Sequence, residues 1–446
     1  MNQKQIVVNV SHTISECIEK MNNVSDKGGF RGIAVVLDKK NKLRGVITDG
    51  DIRRAFNDNL KLNDPVSDIM TSDPITFKIN KVSPKFIPEI FDEMSKKGRY
   101  TSKIVILDDN DNFYDIIDLN RYLHTNVYKN KSIIIYGMGF VGLTLGLVIA
   151  ETNFFKVTGY DIDNNVINKL KDRIPPFFEK GITESLSNSL DSDKITFTTN
   201  PNNHFDIHIV TVGTPIDNDN IPNLLILEKC ITQLSKFLKR GDLIIFRSTV
   251  PVGTTRNFAL PLVEKISKMV GGIDFHIAFA PERTIEGNAL SELKTLPQII
   301  AGLTPTCTQL ACVLFEKFSS SIIRLKTLEE AEMVKLINNS YRDLVFSFAN
   351  EVALNCDKYN IDAFNLIRSA NEGYPRNKIP EPSPGVGGSC LTKDPYLYIS
   401  SQEEGNSSLY PKRGLSQISR DINSRGVQYA IHQFNKFKKS YEIKQK

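Results

Sequence analysis

The chain has 446 residues, more than one ordinary hydrophobic core organises, so two or three domains are expected. Lys and Arg (56) nearly balance Asp and Glu (51), and apart from a basic tail from Lys436 to Lys446 the net charge of +5 is spread out, which gives no case for a nucleic-acid partner. No apolar run is long enough to span a bilayer and MNQKQIVVNV lacks a signal-peptide core, so no membrane partner and a cytoplasmic setting are expected. The six cysteines form no CxxC pair, which favours reduced thiols, and five of them sit in segments where a small core residue is the plain reading. His204 and His208 lack cysteine or carboxylate companions in sequence, and no metal site is expected.

Residues 1 to about 127 read as two copies of one small unit. RGIAVVLDKKNKLRGVITDGDIRRAF gives strand, turn, strand and a helix opened by Asp51, and SKIVILDDNDNFYDIIDLNRYL repeats that order and spacing. With its GVITDGDIRR string, the duplication resembles a pair of cystathionine-β-synthase-type (CBS) domains. The resemblance implies a regulatory adenine nucleotide in the cleft, with Thr48 and Asp51 at the phosphate- and ribose-binding positions. The same two residues also suit the cap of a helix beginning at Ile52. In the second copy Asp118 and Arg121 stand at these positions, so at most one ordinary nucleotide site is expected.

A polar connection, HTNVYKNK, leads into SIIIYGMGFVGL and then KVTGYDID. An apolar run entering Gly137, Gly139 and Gly142, with Asp161 closing the next run, is the pattern of a dinucleotide site. The first glycine permits the turn, the second lets backbone amides near a pyrophosphate, and the third packs helix on strand. Asp161 suits a ribose diol and would repel a 2′-phosphate, so NAD is expected rather than NADP. Alternating strand-like runs and helical patterns then predict a parallel sheet covered on both faces, with GTP (213–215), STVP (248–251) and PER (281–283) following strand ends along one crevice.

A helical pattern covers about 327 to 358, its apolar positions being Met333, Leu336, Ile337, Leu344, Val345, Phe348 and Val352. Another face carries Lys335, Asn339 and Arg342 at one-turn spacing, which by spacing alone reads as an ordinary solvated stripe and becomes a site only with the segment that follows. Next, PEPSPGVGGSCLTKDP sets one cysteine among small residues in a Pro- and Gly-rich loop. Glycines open the approach to sulfur, while Lys393 and a helix start would favour thiolate, so Cys390 reads as a nucleophile, with Asp394 near enough to serve as a base. A nicotinamide cofactor beside such a cysteine suggests oxidation through a thioester.

From about residue 131 onward the chain resembles the UDP-glucose/GDP-mannose dehydrogenase family, on YGMGFVGL, VGTPID, RSTVPVGTT, APERTIEGNAL, EMVKLINNSYRDLVFSFANE and GVGGSCLTKDP. The resemblance implies four-electron oxidation of the C6 alcohol of a UDP-sugar substrate. It assigns Cys390 as nucleophile, Lys335 to the C6 oxygen, Asn339 to that oxygen or the water, Asp394 to proton transfer through water, and Glu282 to thioester hydrolysis. Gly137, Gly139, Phe140, Val141, Gly142 and Asp161 would bind NAD, with Thr214 and Thr249 beside the nicotinamide. Arg283, Arg342, Gly387, Gly388 and Lys393 would shape the sugar site. PERTIEGNAL favours an N-acetylhexosamine substrate, whereas the serine and lysine of GGSCLTKDP are closer to the UDP-glucose branch. The expected fold is α/β: a CBS pair (1–127), a doubly wound Rossmann-type domain (131–325), and a central helical domain (326–446) built on a long helix. A homodimer is expected, as is the lack of the family's C-terminal UDP-binding domain. That lack leaves a second function open, an adenine-nucleotide-sensing or NAD-binding homologue with little turnover.

Overall fold

The computed structural model describes residues 6–25, 32–57, 60–81, 87–97, 101–122, 131–376, 378–388, 390–403 and 413–444. The connection read at 124–131 falls almost wholly outside them, as does the Arg121 side chain. Contacts divide the chain into two compact units, Met1–Lys129 and Asn130–Lys446.

The first unit contains the expected duplication. β1 (Val7–Asn9), α1 (Ile14–Ser25), β2 (Ile33–Leu37), β3 (Leu43–Thr48) and α2 (Asp49–Asn57) are followed by β4 (Thr76–Lys78), α3 (Ile87–Lys97), β5 (Lys103–Leu107), β6 (Phe113–Asp118) and α4 (Leu119–Tyr122). Each copy makes a three-stranded sheet with one parallel and one antiparallel pair. The hairpins are closed alike: Asp38 accepts the Lys40 and Lys42 amides with Asn41 at φ 62°, and Asp108 accepts the Asn110 and Asn112 amides with Asp111 at φ 62°. These amide donors hold both carboxyls below their ordinary value. Val35, Leu37 and Val46 pack with Val105 and Ile116 in one core, so the copies bury their β-branched faces against each other. α2 starts earlier than Ile52: Asp51 Oδ2 accepts from Thr48 N at 2.8 Å and Thr48 Oγ1 at 2.7 Å, and Asp51 N donates back to Thr48 Oγ1 at 3.3 Å. This reciprocal capping moves the helix start to Asp49.

In the second unit the elements are β7 (Ser132–Tyr136), α5 (Phe140–Glu151), β8 (Lys156–Tyr160), α6 (Asn164–Lys171), α7 (Ile182–Asp191), β9 (Ile195–Thr198), β10 (Ile207–Val210), α8 (Leu225–Ser235), β11 (Leu243–Phe246), α9 (Leu260–Ser267), β12 (His276–Phe279), α10 (Ala289–Thr295), β13 (Gln298–Gly302), α11 (Pro305–Phe315), β14 (Ile322–Arg324), α12 (Leu328–Lys358), α13 (Ala363–Asn371), α14 (Asp394–Glu403) and α15 (Leu415–Lys444). The eight strands form one sheet in the order β14-β13-β12-β11-β10-β7-β8-β9. Strands β7 to β12 have the doubly wound order, with its reversal between β7 and β10. The expectation of an all-parallel sheet is corrected at one place: β13 runs antiparallel to β12, and β14 then runs parallel to β13. Tyr136, Val210, Phe246 and Phe279 lie in register across four strands, so the strands end flush and their following loops share one edge.

The long helix α12 begins at a capping box, with Thr327 and Glu330 bonded reciprocally. Its burial differs from the apolar pattern read above. Ile337 and Phe348 are exposed, while the face turned to α14 and α15 carries Lys335, Asn339, Asp343, Ser347 and Asn350. Arg342 is exposed, and the polar face continues through Asp343 instead.

Candidate active site

The dinucleotide turn has the geometry its glycines require. Gly137 has φ +95°, and a Cβ on Gly142 would fall 1.9 Å from the Gly137 carbonyl oxygen and 2.6 Å from Thr211 Oγ1. A Cβ on Gly139, by contrast, would meet nothing within 4 Å, which leaves the N-terminus of α5 open to an anion. Asp161 directly follows β8, with Oδ2 accepting the Met138 amide at 2.8 Å, so the acidic residue is anchored to the glycine turn itself. Phe140 packs on Phe177 with centroids 5.3 Å apart, and Val141 follows on the first turn of α5. Open space above the turn, unpaired helix amides and a fixed carboxylate fit the pyrophosphate and ribose of NAD.

At the other side of the strand reversal, Ser248 Oγ donates to the Val212 carbonyl at 2.6 Å, and Thr214 Oγ1 donates to the Thr249 carbonyl. Lys393 Nζ reaches Thr214 Oγ1 at 3.2 Å and lies 3.4 Å from Asp394 Oδ1. This lysine therefore joins the cysteine segment to the loops over the sheet. Asp394, 1% exposed, accepts from Asn339 Nδ2 at 2.6 Å, and its amide donates to the Cys390 carbonyl at 2.8 Å. Cys390 is exposed and sits on the turn that feeds α14. Lys335 is buried one turn before Asn339. Cys390, Lys393, Asp394, Asn339, Thr214 and Thr249 are thus linked by direct bonds, with Lys335 on the same helix face as Asn339.

Glu282 is buried and fully engaged. Arg247 donates to its Oε2 from Nε at 3.0 Å and Nη2 at 2.5 Å, and the Arg283 and Thr284 amides both donate to Oε1 at 2.7 Å. Burial alone would raise this carboxyl, but the Arg247 charge and the Thr284 bonds outweigh it and hold it below its ordinary value. Arg283 is half-buried, with its guanidinium on the Pro297 carbonyl. Gly387 and Gly388 are exposed with open space above each, and Gly388 has φ +88°. Arg342 lies exposed outside the bonded group.

Two residues escaped the sequence reading. Arg247, 1% exposed, holds Glu282, and only its place just after a strand end pointed to it. Glu332, one turn before Lys335, accepts the Gly253 amide at 2.6 Å and the Thr255 amide at 2.8 Å, tying α12 to the loop after Thr249. Burial pushes its carboxyl up to about 7.

Comparison with known proteins identifies the fold and the family. The UDP-glucose/GDP-mannose dehydrogenase NAD-binding domain matches residues 131–319, the family's central domain matches 329–424, and a CBS domain matches 1–58. A UDP-N-acetyl-D-mannosamine dehydrogenase of Pyrococcus horikoshii is 36% identical over 300 residues, 67% of this chain and 69% of the relative. One of Campylobacter jejuni is 32% identical over 313 residues, 69% of this chain and 74% of the relative. The solved UDP-N-acetylmannosamine dehydrogenase of Pyrococcus horikoshii superposes with a TM-score of 0.64 at 34% identity, covering 70% of this chain and 72% of that one. A Staphylococcus aureus UDP-N-acetylmannosamine dehydrogenase gives 0.61 at 29% identity, covering 69% and 71%. Among the described residues no helix is long and apolar enough to cross a membrane. With its glycine turn, its flush strand ends and its cysteine segment held against them, the chain belongs to the UDP-glucose/GDP-mannose dehydrogenase family, with that family's NAD-binding and central domains behind a CBS domain.

Proposed function

We propose that the protein oxidises the C6 alcohol of a UDP-N-acetylhexosamine, with UDP-N-acetylmannosamine as the first substrate to test, to the uronic acid. The observation that carries this reading is the bonded set Asn339–Asp394–Lys393–Thr214, which ties the cysteine turn to the loops over the dinucleotide fold. Bound NAD supplies the hydride acceptor, once for each of two oxidations. Lys335 and Asn339 donate to the C6 oxygen as negative charge builds on it, and Asp394 takes the alcohol proton through water. Cys390 adds to the resulting aldehyde, and loss of the second hydride leaves a thioester on its sulfur. Water then attacks the acyl carbon, the acid departs, and the thiol is restored. Glu282, expected to assist hydrolysis, has both oxygens occupied by Arg247 and two amides, while Asp394 keeps one oxygen without a hydrogen bond and so is the better base for the attacking water. Arg283, Gly387, Gly388 and Lys393 border the sugar, with Arg342 at the rim.

The division of the second unit at about 325, the regulatory role of the first unit and a homodimer belong to the same reading. Purified full chain with NAD and UDP-N-acetylmannosamine should release two NADH per sugar, and Cys390→Ser should abolish uronate. No NADH with that substrate, UDP-N-acetylglucosamine or UDP-glucose would refute the assignment.

A further inference from the structure

A chain of buried polar contacts that the chemistry above leaves unused runs from α12 and α15 to both ends of the cysteine loop. Arg420 of α15 is 5% exposed. Its Nη1 donates to Asp343 Oδ1 at 2.6 Å and to the carbonyl of Leu391, the neighbour of Cys390, at 3.0 Å. Asn423, nearly one turn on, donates to Asp343 Oδ1 at 2.8 Å and to the Asp343 carbonyl at 3.0 Å. Its side-chain oxygen accepts from Asn350 Nδ2 at 3.0 Å, and the Asn350 oxygen accepts the Ser383 amide at 2.9 Å. Between these ends, a Cβ on Gly426 would lie 2.9 Å from the Pro384 carbonyl oxygen, so the α15 backbone rests directly on the loop.

Such a network is a poor way to join two helices. Desolvation offsets most of the attraction in a buried ion pair, and apolar side chains of similar volume would hold α12 to α15 as well. Burial raises the Asp343 carboxyl above its ordinary value, with Arg420 opposing that rise, which shows how much solvation has been given up. What apolar packing would not provide is a directed bond to the loop backbone. The loop needs one, because Gly385, Gly387 and Gly388 carry no side chains to pack and leave the backbone free to wander.

We propose that Arg420, held by Asp343, is a positioning residue that fixes the loop carrying Cys390, so that the sulfur meets C6 of the sugar in line; this rests on Cys390 being the nucleophile. Displacing a reacting atom by about 1 Å costs roughly a hundredfold in rate, so loss of the tie appears in kcat rather than in cofactor binding. Arg420→Met alone leaves the Asp343 carboxylate buried without its cation and lowers Tm, whereas Asp343→Asn combined with Arg420→Met removes both charges and restores Tm.

The test uses the full chain and four readouts: Tm, NAD affinity by calorimetry, steady-state kinetics with UDP-N-acetylmannosamine, and hydrogen exchange of the peptide spanning 383–391. In the double variant we expect wild-type NAD affinity and near wild-type Tm, with loop exchange about tenfold faster and kcat about a hundredfold lower. Recovery of kcat together with Tm overturns the proposal, because the pair would then serve stability alone. Unchanged loop exchange overturns it as well. If Cys390→Ser retains uronate formation, it is the nucleophile reading that fails, and loop exchange in the double variant still decides whether Arg420 anchors the segment.

Discussion

Asn339 shows how much one buried amide can decide. Its Nδ2 is the hydrogen-bond donor on Asp394 at 2.6 Å, both groups are buried, and the other carboxylate oxygen has only Lys393 at 3.4 Å. Replacing Asn339 by Leu leaves a buried carboxylate short of a donor, a loss of about 1–3 kcal/mol. We expect Asn339→Leu to lower Tm by several degrees and kcat by about a hundredfold, with NAD affinity unchanged in calorimetry. Equal losses in NAD affinity and kcat would contradict this. Glu332 makes a pH prediction of its own. Its carboxyl stands at about 7 in the fold against an ordinary 4.5, chiefly through burial, with the Gly253 and Thr255 amides opposing. A group that holds its proton more tightly when folded contributes stability fully below its unfolded value and loses it as pH rises through the folded one. That loss spans about pH 4.5 to 7 and amounts to on the order of 3 kcal/mol. Glu332→Gln cannot titrate, so its Tm should approach or pass that of the wild type as pH rises across that window; a constant gap would exclude the effect.

Among the elements, those whose signal is local were legible in the sequence. The strand-like runs that follow SIIIY are strands of one sheet, because apolar stretches bounded by turns suit a sheet whose central strands are buried. The start of α12 follows from its Thr and Glu, although the glycine and cysteine loops announced their exposure only through composition. What the pattern did not carry depends on partners far away in sequence. The reversal of β13 comes from how the chain returns after α10, and the inward face of α12 is polar because α14 and α15 bring Asp394, Arg420 and Asn423 to it. Arg342 shares one-turn spacing with Lys335 and Asn339 yet is exposed, since a helix read without its neighbours cannot say which of two adjacent stripes is covered. Gly142 gives the element-scale test. Since a Cβ there overlaps the Gly137 carbonyl, Gly142→Ala must push α5 off β7, and we expect loss of measurable NAD binding with a fall in Tm. Retained affinity would show that the turn yields without moving the helix.

At the scale of the whole molecule, the exposed side of α12 bears on assembly. Ile337, Tyr341 and Phe348 lie exposed along one side of α12, at 44%, 67% and 52%. A row of large apolar groups on one helix suits burial against a second copy, and light scattering should give a dimer of the 50.2 kDa chain. Tyr341→Asp with Phe348→Asp should yield a monomer; a monomeric wild type at working concentration would refute it.

The first unit sets the final question, whether its two copies, of which the CBS domain match covers residues 1–58, are equivalent toward a nucleotide. They share strand pairing, hairpin chemistry and core, and they differ at the mouth of the helix after the third strand. In the first copy Thr48 and Asp51 cap each other and Arg54 pairs with Asp51, so a hydroxyl, a carboxylate and a guanidinium meet at the N-terminus of α2. In the second, Asp118 takes the place of the hydroxyl and is bound by Lys103. A phosphate near Asp118 meets a carboxylate already paired with Lys103 and no hydroxyl donor, whereas Thr48 offers a donor at a helix start, which makes the first copy the better phosphate site. Titration of the full chain with AMP or ATP should therefore saturate at one nucleotide per chain. Asp51→Asn keeps a capping side chain while removing the acceptor pair suited to a ribose diol, so it should weaken binding at least tenfold with little change in Tm. Two equivalents bound, or binding untouched by Asp51→Asn, would place the nucleotide elsewhere and leave Thr48 and Asp51 with the capping role alone.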